Sequence, residues 1–123
     1  MKYTFIESDG NNHILKAVFE DESYDLLNGF LLAEVRNFGD EVEQGLSSLL
    51  EGSRECYCFN GNIYSLSSDS RTSTLTDEIA FADNSLTVST RELYELVSAY
   101  RTKSSSLRQQ ASGTEPKGGE PDG

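Results

Sequence analysis

The chain has no tryptophan, one histidine, one methionine, two cysteines and two prolines in 123 residues. Each shortage closes off a kind of chemistry. His13 with Cys56 and Cys58 gives at most three soft ligands, without the Cys-x-x-Cys or His-x-x-x-His spacing of a metal site. Neither a Gly-x-Ser-x-Gly turn nor a phosphate-cradling Gly-x-x-x-x-Gly-Lys-Ser/Thr loop is present, so no activated nucleophile or nucleotide site is expected. Cys56 and Cys58, two apart on a β-rich stretch, share a face but sit badly for a disulfide, and two reduced thiols suit a reducing compartment. No run approaches the eighteen or so apolar residues of a membrane-spanning helix. The N-terminal MKYTFIESD alternates and turns acidic instead of forming the apolar centre of a secretory signal. A cytoplasmic protein with no membrane association is expected.

Positive charge is also scarce. Ten Lys and Arg stand against 21 Asp and Glu, a formal net charge of −11. Such an excess repels nucleic acid, because nothing neutralises phosphates, and it speeds encounter with a basic protein. The carboxylates Glu20, Asp21, Glu22, Asp25, Asp40, Glu41, Glu43, Asp77, Glu78 and Asp83 fall at turns and helix starts. None lies in a motif that separates a general acid from a general base. No catalytic residue, metal ligand or cofactor site is therefore expected, and the chain reads as a non-enzyme.

What is present is structural. Val42, Leu46, Leu49 and Leu50 fall at i, i+4, i+7 and i+8, an apolar stripe of helical period. Asp40 is placed to cap that helix, with Glu43 in capping-box register, and Gly52 to end it. Asn60-Gly61 between two runs of β-formers predicts a hairpin with a type I′ turn. Before this unit, Lys2–Glu7 and His13–Phe19 flank the turn signal of residues 8–12 and predict a first hairpin. Leu26–Val35 is compatible with a buried strand or a helix, with breaks at Asn28-Gly29 and Asn37-Phe38-Gly39. Ser67–Ser70 makes a further turn, Thr72–Leu75 a third strand that Glu78–Phe81 can extend, and Leu86–Val88 a fourth. Ser89 or Thr90 caps the last helix, Glu92 is the box partner of Ser89, and Leu93, Leu96, Val97 and Tyr100 form its stripe. Arg101 and Lys103 fall near the end of that helix, where the dipole favours cations.

From Ser104 onward there is one leucine, no aromatic residue and both prolines. That composition predicts a disordered tail over 104–123 behind a single domain of residues 1–103. The body then carries a charge of −10. The fold class is α+β: antiparallel hairpins or meanders, with two amphipathic helices covering one face.

Three acidic segments, Glu20–Asp25, Asp40–Glu43 and Asp77–Asp83, are candidates for a binding surface if they converge. Glu20, Asp21, Glu22, Asp25, Asp40, Glu41 and Glu43 are the expected partner-binding residues, with Tyr24 as an aromatic anchor.

The segment EVEQGLSSLLEGSRECYCFNGNIY (41–64), the opening MKYTF and the ending ELYELVSAYR resemble the YacL-type small bacterial proteins. That family implies a small housekeeping protein and supplies no active site. In size, acidity and α+β type the chain also resembles the immunity proteins of contact-dependent growth inhibition systems. The second resemblance implies a cytoplasmic inhibitor that binds and neutralises a basic toxin domain, a nuclease in many cases, by covering it with acidic side chains.

Overall fold

The computed structural model describes residues 1–7, 15–79 and 84–113, with side chains up to residue 106. The elements in chain order are β1 (Tyr3–Glu7), β2 (Leu15–Phe19), a 3-10 turn (Glu22–Tyr24), α1 (Leu26–Phe30), a π-helical turn (Leu31–Val35), α2 (Arg36–Glu51), β3 (Cys56–Asn60), β4 (Tyr64–Asp69), β5 (Thr72–Asp77), β6 (Ser85–Ser89) and α3 (Thr90–Gly113). The fold is α+β. β1 and β2 form a two-stranded antiparallel ribbon, and β3-β4-β5-β6 form a four-stranded antiparallel meander in sequence order. The turn expected at residues 8–12, His13, and the turn at Asp83 lie outside the described residues.

The stretch from Leu26 to Glu51 is one bent helix. The apolar run is helical because Leu27, Phe30, Leu31 and Val35 follow a 3.6-residue period and are all buried. The break expected at Asn28-Gly29 does not occur. A glycine inside a helix costs about 1 kcal/mol against alanine, less than the burial of Leu27, Phe30 and Leu31 contributes. The second expected break is present as a kink: Phe38 leaves helical geometry (φ −123°, ψ 25°) and the helix resumes. Asp40 therefore lies within α2 and caps nothing, contrary to expectation, while Gly52 ends the helix with φ +86°.

The stripes close the core. Val42, Leu46 and Leu49 of α2 and Leu93, Leu96, Val97 and Tyr100 of α3 are buried against the inner face of the meander, where Tyr57, Phe59, Tyr64, Leu66, Leu75 and Val88 point. Leu15, Ala17 and Phe19 join the same core from the ribbon. Ser89 caps α3 as expected, its Oγ accepting from the Glu92 N–H at 3.2 Å. The Glu92 carboxylate does not complete the box but pairs with the Met1 ammonium at 2.9 Å. α3 does not stop near Lys103: its backbone is helical to Gly113, so the boundary placed at Ser104 falls inside the helix. Leu107–Ala111 are strong helix formers, which lets the backbone continue past the core at little cost. Arg101 is thus a mid-helix residue, held by Asp40 and Glu43 instead of by the helix dipole.

Candidate interaction surface

Glu20, Asp21, Glu22 and Asp25 form a knuckle between β2 and α1, and all four are exposed. The chain turns there because Asp21 accepts from the Ser23 N–H at 3.0 Å and starts the 3-10 turn. That bond holds the Asp21 carboxyl below its ordinary pKa. Tyr24 is half-buried, with its ring 6.0 Å from Phe19, so one face of it belongs to the core. The upstream end of the knuckle is anchored by Asn28, whose side-chain amide accepts from the Ala17 N–H at 2.9 Å and donates to the Ala17 carbonyl at 2.6 Å. The amide thus caps β2 as a neighbouring strand would. A shallow cavity of about 360 Å³ lies between Lys16–Phe19 and Glu22, Asp25 and Asn28.

The second acidic segment is elsewhere. Asp40 and Glu43 face α3, where the Arg101 guanidinium bridges both carboxylates and Ser98 Oγ donates to Glu43 at 2.6 Å. Burial lowers the Arg101 pKa, but the hydrogen bonds from its guanidinium to the two carboxylates raise it further. Glu41 is exposed, and its backbone carbonyl takes the Tyr57 hydroxyl. Fifteen residues of helix separate Asp25 from Asp40, about 22 Å of axis at 1.5 Å per residue. The structure therefore gathers the first four acids and keeps Asp40, Glu41 and Glu43 apart from them. Of the third segment, Glu78 takes a hydrogen bond from Ser65 Oγ and Asp77 takes one from the Ile79 N–H at 3.0 Å. Asp83 lies outside the described residues.

The most consequential carboxylate is one the sequence reading passed over. Glu34, in the π-helical turn, is fully buried and points at the β3–β4 connection. Its Oε1 accepts from the Asn62 N–H at 3.0 Å, and its Oε2 from those of Ile63 and Tyr64 at 2.7 and 2.8 Å. The signal was present as an inconsistency: Glu34 occupies the i+7 position of the stripe begun by Leu27, where an apolar residue belongs. Its effect on the hairpin is direct. Asn60 pairs with Ser65 and the Gly61 N–H donates to the Tyr64 carbonyl, so the turn sits on Asn62-Ile63 and not on Asn60-Gly61. Gly61 keeps an ordinary negative φ, and its role is room: a Cβ there would lie 2.2 Å from Glu34 Oε1.

The outer face of the meander carries small polar side chains in register, with Cys58, Ser67, Thr74 and Thr87 forming one row across all four strands. Cys56 and Cys58 lie on this face, free and exposed. Among the described residues no group of three or more His, Cys, Asp or Glu is placed to hold a metal ion. No helix among them is long and apolar enough to cross a membrane. Compared with known proteins, the chain matches no family model, no curated protein and no solved structure.

Proposed function

We propose that the chain is a binding protein of the immunity type, acting in the cytoplasm. In this reading it sequesters a basic toxin domain, a nuclease by the resemblance, and performs no chemistry of its own. The observation that supports the reading is the Glu20–Asp25 knuckle: four exposed carboxylates within six residues, on a turn anchored to β2 at one end and running into α1 at the other. A fixed array of like charge needs little ordering when a basic surface arrives, and it steers the encounter. Tyr24, half-exposed beside the acids, supplies an aromatic contact. Asp40 and Glu43 contribute less to that field than the sequence reading gave them, because Arg101 offsets them. Glu41 remains open to a partner.

The test is calorimetry and stopped-flow association at two salt concentrations. The probe is the C-terminal domain of a large exported effector encoded immediately upstream. The triple variant Glu20→Gln, Glu22→Gln, Asp25→Asn leaves Asp21 to hold the turn. It is expected to associate about tenfold more slowly and with a flatter salt dependence. An unchanged on-rate removes the steering role of the knuckle. Absence of any binding by the wild-type chain returns it to the reading of a YacL-like housekeeping protein with another cellular partner.

A further inference from the structure

The two-stranded ribbon is satisfied on one edge and open on the other. The Glu20 N–H donates to the Lys2 carbonyl at 3.1 Å, which makes Lys2 and Glu20 a hydrogen-bonded pair. Such pairs alternate along an antiparallel ladder. In the observed register Thr4–Val18 and Ile6–Lys16 are therefore hydrogen-bonded, while Tyr3–Phe19 and Phe5–Ala17 turn their backbone groups outward. The bonds from Asn28 to both backbone groups of Ala17 show that alternation directly. On the β2 side the outward groups are covered, by Asn28 at Ala17 and by the Tyr100 hydroxyl on the Leu15 carbonyl at 3.4 Å. On the β1 side, among the described residues, the N–H and C=O groups of Tyr3 and Phe5 have no partner.

We propose that the outer edge of β1 accepts an extended basic segment of the protein partner as a third strand. This rests on the binding reading above and gives it a mode of engagement. Three observations select this edge and this occupant. A ribbon of only two strands has few ladder hydrogen bonds of its own and gains from a third strand. The start of β1 lies across the ribbon from the start of the acidic knuckle, because Lys2 pairs with Glu20 and one cleft of about 470 Å³ is lined by Met1 and Lys2, by Tyr3 and Thr4 of β1 and by Val18–Glu20. Carboxylates stand at this end of the ribbon: Glu92 of α3 pairs with the Met1 ammonium at 2.9 Å, Glu95 of α3 helps burial raise the Tyr3 phenol pKa, and Glu20 sits across from Lys2. A second copy paired through β1 would bring two chains of net charge −11 together, so charge favours a basic strand over self-pairing. Side chains on an added strand alternate. Basic residues belong on the side of Glu95, and small or β-branched residues belong on the side of Thr4 and the exposed Ile6.

The experiment is amide hydrogen exchange on the isotope-labelled full chain. The probe is a synthetic peptide of about eight residues alternating lysine with valine or threonine, and the control replaces each lysine with glutamate. The basic peptide is expected to slow exchange of the Tyr3 and Phe5 amides at least about tenfold, leaving the already paired Thr4 and Ile6 amides unchanged. N-methylating alternate peptide amides is expected to abolish this protection for one set and preserve it for the complementary set, because only one set of amides faces β1. Failure of the basic peptide to bind, equal tolerance of both methylated sets, or binding that leaves Tyr3 and Phe5 unprotected overturns the proposal. The last outcome leaves the acidic knuckle as the binding feature. Protection that rises with protein concentration alone also overturns it, in favour of a second copy.

Discussion

Replacing Glu34 with alanine removes the acceptor on which the β3–β4 turn is built. The backbone donors of Asn62, Ile63 and Tyr64 lose their partner together, at a carboxylate with no solvent exposure. A hydrogen bond to a charged group contributes about 1.5–3 kcal/mol, and a buried donor left unpaired costs about 1–3 kcal/mol. The three do not add in full. Asn62 is exposed and its N–H can turn to water, and loss of the carboxylate also removes the cost of having buried it. Glu34→Ala is expected to lower the unfolding free energy by about 3–5 kcal/mol, out of about 5–15 for a domain of this kind. Glu34→Gln keeps the volume. Its amide oxygen can serve Ile63 and Tyr64, but its NH₂ then meets the Asn62 N–H donor to donor, so a loss of about 2 kcal/mol is expected. Gly61 supplies an internal control, because Gly61→Ala pushes a methyl into Glu34 Oε1. It should be strongly destabilising in the wild type and much less so beside Glu34→Ala, with a coupling of at least about 1 kcal/mol. Urea denaturation gives the free energies, and amide exchange at Ile63 and Tyr64 locates them. Glu34→Gln within about 0.5 kcal/mol of wild type, or additive effects in the double variant, would refute the reasoning.

Asn28→Ala uncaps Ala17 and should cost about 1–3 kcal/mol by denaturant melt, with faster exchange at the Ala17 amide; Asn28→Asp, which cannot donate to the Ala17 carbonyl, should recover only part of that. Gly29→Ala sets a Cβ 1.8 Å from Tyr64 Oη and should lower Tm by several degrees, with partial rescue by Tyr64→Phe. Burial, then the nearby Glu41, pushes the Tyr57 phenol up to about 12, against a lowering by Arg54. Its folded pKa is above the unfolded value near 10, so the stability it contributes is whole below about pH 10 and lost as pH rises through about 12. Discounted for screening, the loss is about 1–2 kcal/mol, and Tyr57→Phe should flatten that limb of the stability–pH curve. Asp21 and Asp69 have lowered pKa values, each from hydrogen bonds to following backbone N–H groups. What they contribute is present above the ordinary carboxylate pKa and fades as pH falls through their lowered values, so Asp69→Asn should be less stable near neutral pH and show a flatter acid limb of the stability–pH curve.

Wherever neighbours within about eight residues decide the outcome, the elements could be read from the sequence. The stripes Val42-Leu46-Leu49 and Leu93-Leu96-Val97-Tyr100 face the core as their spacing requires. Gly52 ends α2 in the left-handed region and Ser89 caps α3. The strands after Gly52 lie close to where the β-formers put them. The Glu20–Asp25 acids are gathered because they are adjacent in the chain, and a 3-10 turn holds them.

Partnership across the chain was decided only by the tertiary structure. Asp40 and Glu43 had the spacing of a helix cap, yet they pair with Arg101, 61 and 58 residues away, because α2 and α3 pack side by side. Asn28 looked like a break and became the edge cap of β2, since a helix held by Leu27 and Phe30 delivers its amide to Ala17. Asn60-Gly61 had the residues of a type I′ turn, but the turn slid to Asn62-Ile63, where three N–H groups meet a carboxylate about thirty residues upstream. Local propensity differs between such alternatives by about 1 kcal/mol, whereas a buried charge must find its donors or lose several. Sequence therefore set which segments are helix and strand, and packing set what their polar groups bind.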